Sequence, residues 1–450
     1  MDILYVDLLP ADDGYVTLRY GKEPSNWTAT DRRLALSDIQ ALVDHDKLYY
    51  FTRRPDFRRV GQQLYAWLDA EGRWLTKEIQ RCAAPELVLM IAARQQLAHL
   101  PWEVLHDGDE FLVQAMTPVV PVRWVEGAAE PQPPQARSLN VMFMATSIAG
   151  EQALDFEAEE AKILEITDKF PLTLRVEESG CVAELKTLWK RYNRGSFDIF
   201  HLTGHAGITK TESPTPFFIT ETETGDRYDA TAKDLFQVFR QRRPRLVFLS
   251  GCRTGQSLED GTVNSIAKAL VAYGLPAVLG WGQPVRDRDA TLAATKLYES
   301  LAAGDSLPSA LCETMRHLRN EEARDWHLLR LYARTGTLEP LVQAGSATVY
   351  VPPLETTQSY FLDDEQQVRV AGPDKFVGRR RLLQRCLQHL LRERGKVGVL
   401  LHGLGGNGKS TVAARLLDRL QGYTPAVIYR RLDEAALLRS LARQATDKAG

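Results

Sequence analysis

Phe197-Asp-Ile-Phe-His-Leu-Thr-Gly-His205-Ala-Gly207 and Leu246-Val-Phe-Leu-Ser-Gly-Cys252-Arg-Thr-Gly255 decide the reading of this chain. Each is a run of apolar and β-branched residues that stops at a polar residue flanked by glycine, the pattern by which a buried strand delivers a side chain to a sheet's edge. Two such strands side by side place an imidazole next to a thiol. The thiolate attacks a carbonyl far better than the thiol, and a free thiol near neutral pH is only a few per cent ionised, so a neighbouring base is what the chemistry lacks. His205 supplies that base for Cys252 and can return the proton to a leaving amine, while the backbone N–H groups of Ala206 and Cys252 are candidates for stabilising the developing oxyanion. Gly204, Gly207 and Gly251 would let that backbone approach a substrate. Taken singly, such a cysteine reads as a small core residue and such a histidine as a hydrogen-bonded structural one. The ordered pair points to a dyad.

The two residues are 47 positions apart, close to the roughly 50 that caspases keep between their histidine and the cysteine of a C-[RQG]-G block. Leu100-Pro-Trp102-Glu103-Val-Leu105-His-Asp107 lies upstream, and Gly274-Leu-Pro-Ala-Val-Leu-Gly-Trp281-Gly-Gln-Pro284-Val-Arg-Asp287 and Asp325-Trp326 lie downstream. With these blocks the segment from about 85 to 340 is similar to CHAT domains, the caspase-like cysteine peptidases related to separase. Gly251 stands where that family often has alanine, a departure that leaves the dyad intact.

A second motif follows Val397-Gly-Val-Leu-Leu-His402: Gly403-Leu-Gly405-Gly406-Asn-Gly408-Lys409-Ser410-Thr411 fits G-x-x-x-x-G-K-[ST]. Glycines let such a loop wrap phosphates with backbone N–H groups, Lys409 neutralises phosphate charge, Ser410 ligates Mg²⁺, and the helix opened by Thr411 turns its positive end to the anion. ATP or ADP with Mg²⁺ is the implied regulatory cofactor. Phe376-Val377-Gly378-Arg379 resembles the opening block of STAND-type, NB-ARC-like signalling ATPases, a resemblance confined to 376–450. A hydrolase of this kind also needs an acidic residue on a later strand, and Asp433-Glu434 reads better as the start of a helix over Glu434 to Arg443. The expectation is therefore an incomplete NTPase domain in a fragment of a longer protein, with weak nucleotide binding and no hydrolysis.

Composition fits two to three globular domains: 450 residues, 44% apolar and 25% charged. A net charge of −2 argues against a dedicated nucleic-acid or membrane binder. The leucine spacing of the basic stretch Arg379 to Arg394 reads as an ordinary helix with a solvated face. Five cysteines, at 82, 181, 252, 312 and 386, are odd in number and irregularly spaced, which suggests reduced thiols and a cytoplasmic protein. No metal-ligand spacing, signal peptide or membrane-spanning run is visible.

The pattern of elements predicts an α/β protein: a caspase-like, mostly parallel sheet sandwiched by helices, preceded by an α+β silent half and followed by the incomplete P-loop domain. Expected boundaries are 1–130, 131–345, a linker over 346–375, and 376–450. Strands are predicted at Ile3 to Leu9, Tyr15 to Tyr20, Leu48 to Phe51, Leu87 to Ala92 and Leu112 to Val125, and helices at Asp31 to Val43 and Phe57 to Leu68. After the prolines at 131, 133 and 134, strand and helix alternate from Leu139 to Trp281, as a parallel sheet requires. Helices over Ala290 to Leu301 and Leu307 to Leu318 close the domain.

Specificity stays open at this level. A basic residue before the cut bond needs an acid, with Asp260, Asp287 and Asp289 as candidates; an acidic one needs Arg253, Arg286 or Arg288. The resemblances together imply a cysteine endopeptidase effector regulated by a nucleotide-dependent switch that self-associates, in bacterial antiphage defence or programmed cell death. The implied substrate is a partner protein, by analogy of fold a gasdermin-like pore-former. Two other readings are a non-catalytic interaction module and a scaffold whose only chemistry is ATP turnover.

Overall fold

The structure is a computed structural model. It describes residues 1–450 except 12, 46–48, 53–54, 147, 149–155, 210–214, 252–261, 282–284, 347, 351–369, 371–378, 393–397, 421–422, 424–426, 429–432, 436 and 439–450. The strands are β1 Asp2–Pro10, β2 Tyr15–Gly21, β3 Ala29–Ala35, β4 Leu87–Ala93, β5 Val119–Ala128, β6 Leu139–Ala145, β7 Leu172–Glu177, β8 Ile199–Ile208, β9 Pro216–Glu221, β10 Arg227–Thr231, β11 Leu246–Gly251, β12 Ala277–Trp281 and β13 Leu329–Thr335. The helices are α1 Gln40–Val43, α2 Tyr49–Thr52, α3 Phe57–Asp69, α4 Trp74–Arg81, α5 Phe156–Thr167, α6 Val182–Lys190, α7 Ala232–Phe239, α8 Thr262–Tyr273, α9 Asp287–Ala303, α10 Leu307–Asn320, α11 Arg380–Leu391 and α12 Lys409–Arg419.

The thirteen strands among the described residues join one sheet, in the order β10-β9-β8-β11-β12-β13-β5-β4-β1-β2-β3, with β6 pairing β7 and β8. The strands β7, β6, β8, β11 and β12 are mutually parallel, and successive ones are joined by crossovers that carry α5, α6, α7 and α8. β13 is the seam. It runs antiparallel to β12 and parallel to β5, and so welds the first 130 residues to the alternating half.

Side-chain alternation sorts the two covering layers. Ile199, Leu246 and Phe248 point into one core with α5, α9 and α10, whereas Phe200, Leu202, Val247 and Leu249 point into the other with α6, α7 and α8. A smaller third cluster, Leu383, Cys386, Leu387, Val412 and Leu416, ties α11 to α12.

Several expectations need correction. Asp31 to Ala35 lies in β3, not in a helix: Leu34 is buried while Arg32 and Arg33 stack over Tyr20 and Tyr15 of β2, so the strand's polar face hides its period. Tyr49 to Thr52 forms one helical turn where a strand was expected, and it carries Tyr50 into the core to donate to the Leu42 carbonyl at 2.6 Å. The strand expected from Leu112 begins only at Val119. α4, β9, β10 and β13 were not anticipated. The apolar run from Gly398 to His402 before the glycine loop forms no strand; a parallel strand needs a neighbour's ladder, and none is present there among the described residues.

Most of the 346–375 stretch lies outside the described residues. No described helix is long and apolar enough to cross a membrane.

Candidate active site at the carboxyl ends of the parallel strands

β8 and β11 run parallel with Ser250 opposite Thr203 and Gly251 opposite Gly204. The next residue on β8 is His205, 2% exposed. The next on the other chain segment is Cys252, which, with Asp260 and Arg253, lies outside the described residues. The parallel ladder ends at these glycines, at the sheet edge where open α/β folds bind ligands. His205 is not the tip of its strand, however. β8 continues to Ile208 and turns back as β9, so that His205 pairs with Ile219 and the half-buried Ala206 with Phe218.

Gly204 and Gly207 have a packing reason of their own. A Cβ on Gly204 would sit 2.0 Å from Thr146 Oγ1 and 2.7 Å from the Phe218 ring, and one on Gly207 would sit 2.7 Å from the Phe217 ring. Thr146 Oγ1 donates to the Ile219 carbonyl at 2.9 Å, clamping the end of β6 to β9 across the space that Gly204 leaves. Gly204 and Gly207 thus let the hairpin pack.

Beneath the site, on the face that alternation gives to His205, lies a polar cluster the sequence reading missed. His201 Nε2 is 3.5 Å from Glu159 Oε1 on α5, and Tyr298 of α9 and Phe248 pack against the imidazole. Burial drives the His201 pKa down to about 3, so it is neutral. Burial also lifts Glu159 to about 7, opposed by a hydrogen bond with Thr203 and reinforced by the nearby Asp287 charge. The hydroxyl of Tyr298 is pushed up by burial and by Glu159. The period-2 spacing of His201, Thr203 and His205 was the available signal.

Of the acids proposed for a specificity pocket, Asp287 is exposed at the first position of α9. Asp289 is 3% exposed, with Arg288 at 3.9 Å. Both sit where a helix N-terminus favours negative charge. Arg286 is exposed, and Arg288 pairs with Glu321 at 3.0 Å. The four described cysteines are unpaired thiols: burial pushes Cys181 up to about 11, Cys312 up to about 12, and Cys82 and Cys386 upward.

Glu103 of the Leu100-Pro-Trp-Glu block is structural. Its carboxylate accepts from Arg123 Nε and Nη2, both at 2.9 Å, and faces Arg330 Nε at 3.6 Å, with all three side chains buried. Arg123 also donates to the carbonyls of Ala98 and Leu100. The block therefore pins its own loop to β5 and β13.

The glycine loop is open. Gly403, Gly406 and Gly408 have φ of 148°, 80° and 71°, and nothing lies within 4 Å of a Cβ placed on Gly403, Gly405 or Gly406. Lys409 Nζ donates to the carbonyls of Gly403 and Leu404 at 3.1 and 2.8 Å, Ser410 is exposed, and Thr411 is half-buried. Arg379 adopts φ 60° at the start of α11, its Nη1 4.0 Å from a Cβ on Gly408. An empty-sided cradle with a lysine at its mouth fits a phosphate group. Phe376, Val377 and Gly378 lie outside the described residues. No group of three His, Cys, Asp or Glu residues among the described ones could hold a metal.

These features define an α/β protein built on a large, mostly parallel sheet whose carboxyl edge carries the candidate site. The chain belongs to the CHAT domain family, which it matches over residues 58–367. Among solved structures it is similar to the Saccharomyces cerevisiae separase–securin complex, at 12% identity and a TM-score of 0.40, covering 74% of this chain and 30% of that one. It is also similar to the Arg-specific cysteine proteinase gingipain R, at 12% identity and a TM-score of 0.38, covering 63% of this chain and 68% of that one. The chain thus spans less than a third of the length of the separase chain it matches. No curated protein matches it.

Proposed function

We propose that the protein is a cysteine endopeptidase that works through Cys252 and His205. The observation that carries this is the β8–β11 register, in which the residues immediately before the two candidates, Gly204 and Gly251, stand opposite each other. The raised thiols elsewhere leave Cys252 as the candidate nucleophile.

In this mechanism His205 takes the proton from Cys252 Sγ, and the thiolate attacks the scissile carbonyl carbon. The oxyanion accepts from the N–H groups of Ala206 and Cys252. As the tetrahedral species collapses, the imidazolium protonates the leaving amine and a thioester remains. His205 then deprotonates a water that cleaves the thioester, and its proton returns to the sulfur. The neutral, buried His201 supports the strand beneath without adding charge.

The finer reading adds control by nucleotide. Residues Gly403, Gly405, Gly406, Gly408, Lys409, Ser410 and Thr411, with Arg379, would hold ATP or ADP, and Ser410 would reach the Mg²⁺. Bound there, the nucleotide supplies dense negative charge. Lys409, now held by the Gly403 and Leu404 carbonyls, would be the group to meet its phosphate oxygens. Self-association of nucleotide-bound protomers, a gasdermin-like pore-former as substrate, and a role in antiphage defence or programmed cell death belong to the same proposal. Asp260, Asp287 and Asp289 remain its candidates for selecting a basic residue.

Proteome-wide cleavage profiling of wild type against Cys252→Ala tests it. New protein termini that depend on Cys252 support the reading, and identical termini in both samples refute it.

A further inference from the structure

α11 and α12 form a small separate core, yet their charged face is buried against the catalytic sheet. Arg380, with a side chain 8% exposed, pairs at 3.2 Å with Glu221, whose side chain is 0% exposed at the end of β9. It also donates to the Glu178 carbonyl at 2.7 Å. Gln384 donates to the same Glu221 carboxylate, Gln388 to the Thr224 carbonyl at 2.9 Å, and Arg419 of α12 to Glu178 at 3.0 Å. Arg392 meets Asp226 at 2.5 Å on the rim. Gly225, at φ 83°, admits the contact, because a Cβ there would come 2.9 Å from the Gln384 amide carbon. Arginines on one side thus meet carboxylates on the other, with the innermost pair desolvated.

The position of this contact matters more than its strength. Glu221 lies two residues along β9 from Ile219, the partner of His205, so its Cα stands within about 12 Å of the His205 Cα. An extended peptide advances about 3.3 Å per residue, so a substrate running along the sheet edge toward β9 would meet α11 within about four residues of the cut bond. The same helix reaches the glycine loop: Arg379 faces Gly408 while its neighbour Arg380 enters the recess.

We propose that the α11–α12 pair is an autoinhibitory clamp. Docked through Arg380 into the recess of Glu178 and Glu221, it shortens the peptide groove beside His205, and release of the pair opens the groove to long substrates. The clamp rests on the peptidase reading above.

The test uses the full chain and two probes of Cys252, iodoacetamide and a mixed library of pentapeptidyl acyloxymethyl ketones, read by mass spectrometry at that residue. Arg380→Glu sets a carboxylate against the buried Glu221, so it should raise the ratio of peptide-probe to iodoacetamide labelling on the order of tenfold or more. Arg419→Glu acts on the docking from α12 without touching β9 and should move the ratio the same way; it carries the test if Arg380→Glu fails to fold. The charge swap Arg380→Glu with Glu221→Arg should bring the ratio back toward wild type. A ratio unchanged or lowered in both single variants, with Cys252 still labelled readily, overturns the clamp alone. Labelling of Cys252 no faster than that of Cys82 by either probe, in every variant, sinks the peptidase reading and the clamp with it.

Discussion

Replacing Glu103 with alanine strands two guanidinium groups in the core. The carboxylate accepts two 2.9 Å bonds from Arg123 and faces Arg330 at 3.6 Å, and all three side chains are buried. Removing one member of such a group leaves uncompensated buried charge, which costs about 3–5 kcal/mol. The roughly 310 residues from 58 to 367 should unfold with about 0.65 kcal/mol/K of entropy, so the loss should lower the melting temperature by about 5–8 °C in scanning calorimetry. Glu103→Gln keeps the shape and loses the charge, and should fall most of the way with it. Burial alone would raise the Glu103 pKa, but the charges of Arg123 and Arg330 outweigh it and hold the carboxyl below its ordinary 4.5. The contribution is therefore complete above that pH and is lost as pH falls through the lower folded-state value. Melting of Glu103→Ala within about 2 °C of wild type would refute the claim that this network holds the sheet's two halves together.

Gly204→Ala forces a methyl to 2.0 Å from Thr146 Oγ1, so the β6–β9 clamp must open; expect a loss of about 1–3 kcal/mol in urea unfolding and loss of any Cys252-dependent cleavage, where native stability would contradict the packing argument. Glu159 sits in the opposite linkage regime from Glu103. Its pKa rises from 4.5 to about 7 on folding, so the folded state binds the extra proton and stability declines as pH climbs through that window. Glu159→Gln should then be more stable than wild type above pH 7, on the order of 1–3 kcal/mol, and equal to it near pH 4.5. A difference independent of pH would show that the carboxyl is not buried as described.

The alternating half of the fold was legible because its strands, buried on both faces, are continuous apolar runs such as Leu139 to Ala145 and Leu246 to Gly251. The elements that escaped lack that signature. β3 carries Asp31, Arg32 and Arg33 on an edge, β10 is mostly exposed, and β13 holds Arg330, which is buried against Glu103, 227 residues away in sequence. No local pattern encodes such a pairing. At the site, His205 was found by its glycines, but their true partners, Thr146 and Phe218, come from β9 and the end of β6, which only the folded hairpin brings together. Arg380 read as part of a solvated basic face for the same reason: its carboxylate is 159 residues earlier in the chain.

The central claim is that His205 activates the thiol of Cys252, and the pH dependence of Cys252 alkylation by iodoacetamide measures this directly. In wild type the midpoint of the rate profile should fall well below the ordinary thiol value of about 8.5, and in His205→Ala it should return to that value or above. Coincident profiles for the two proteins, both with midpoints at or above the ordinary value, would contradict the account.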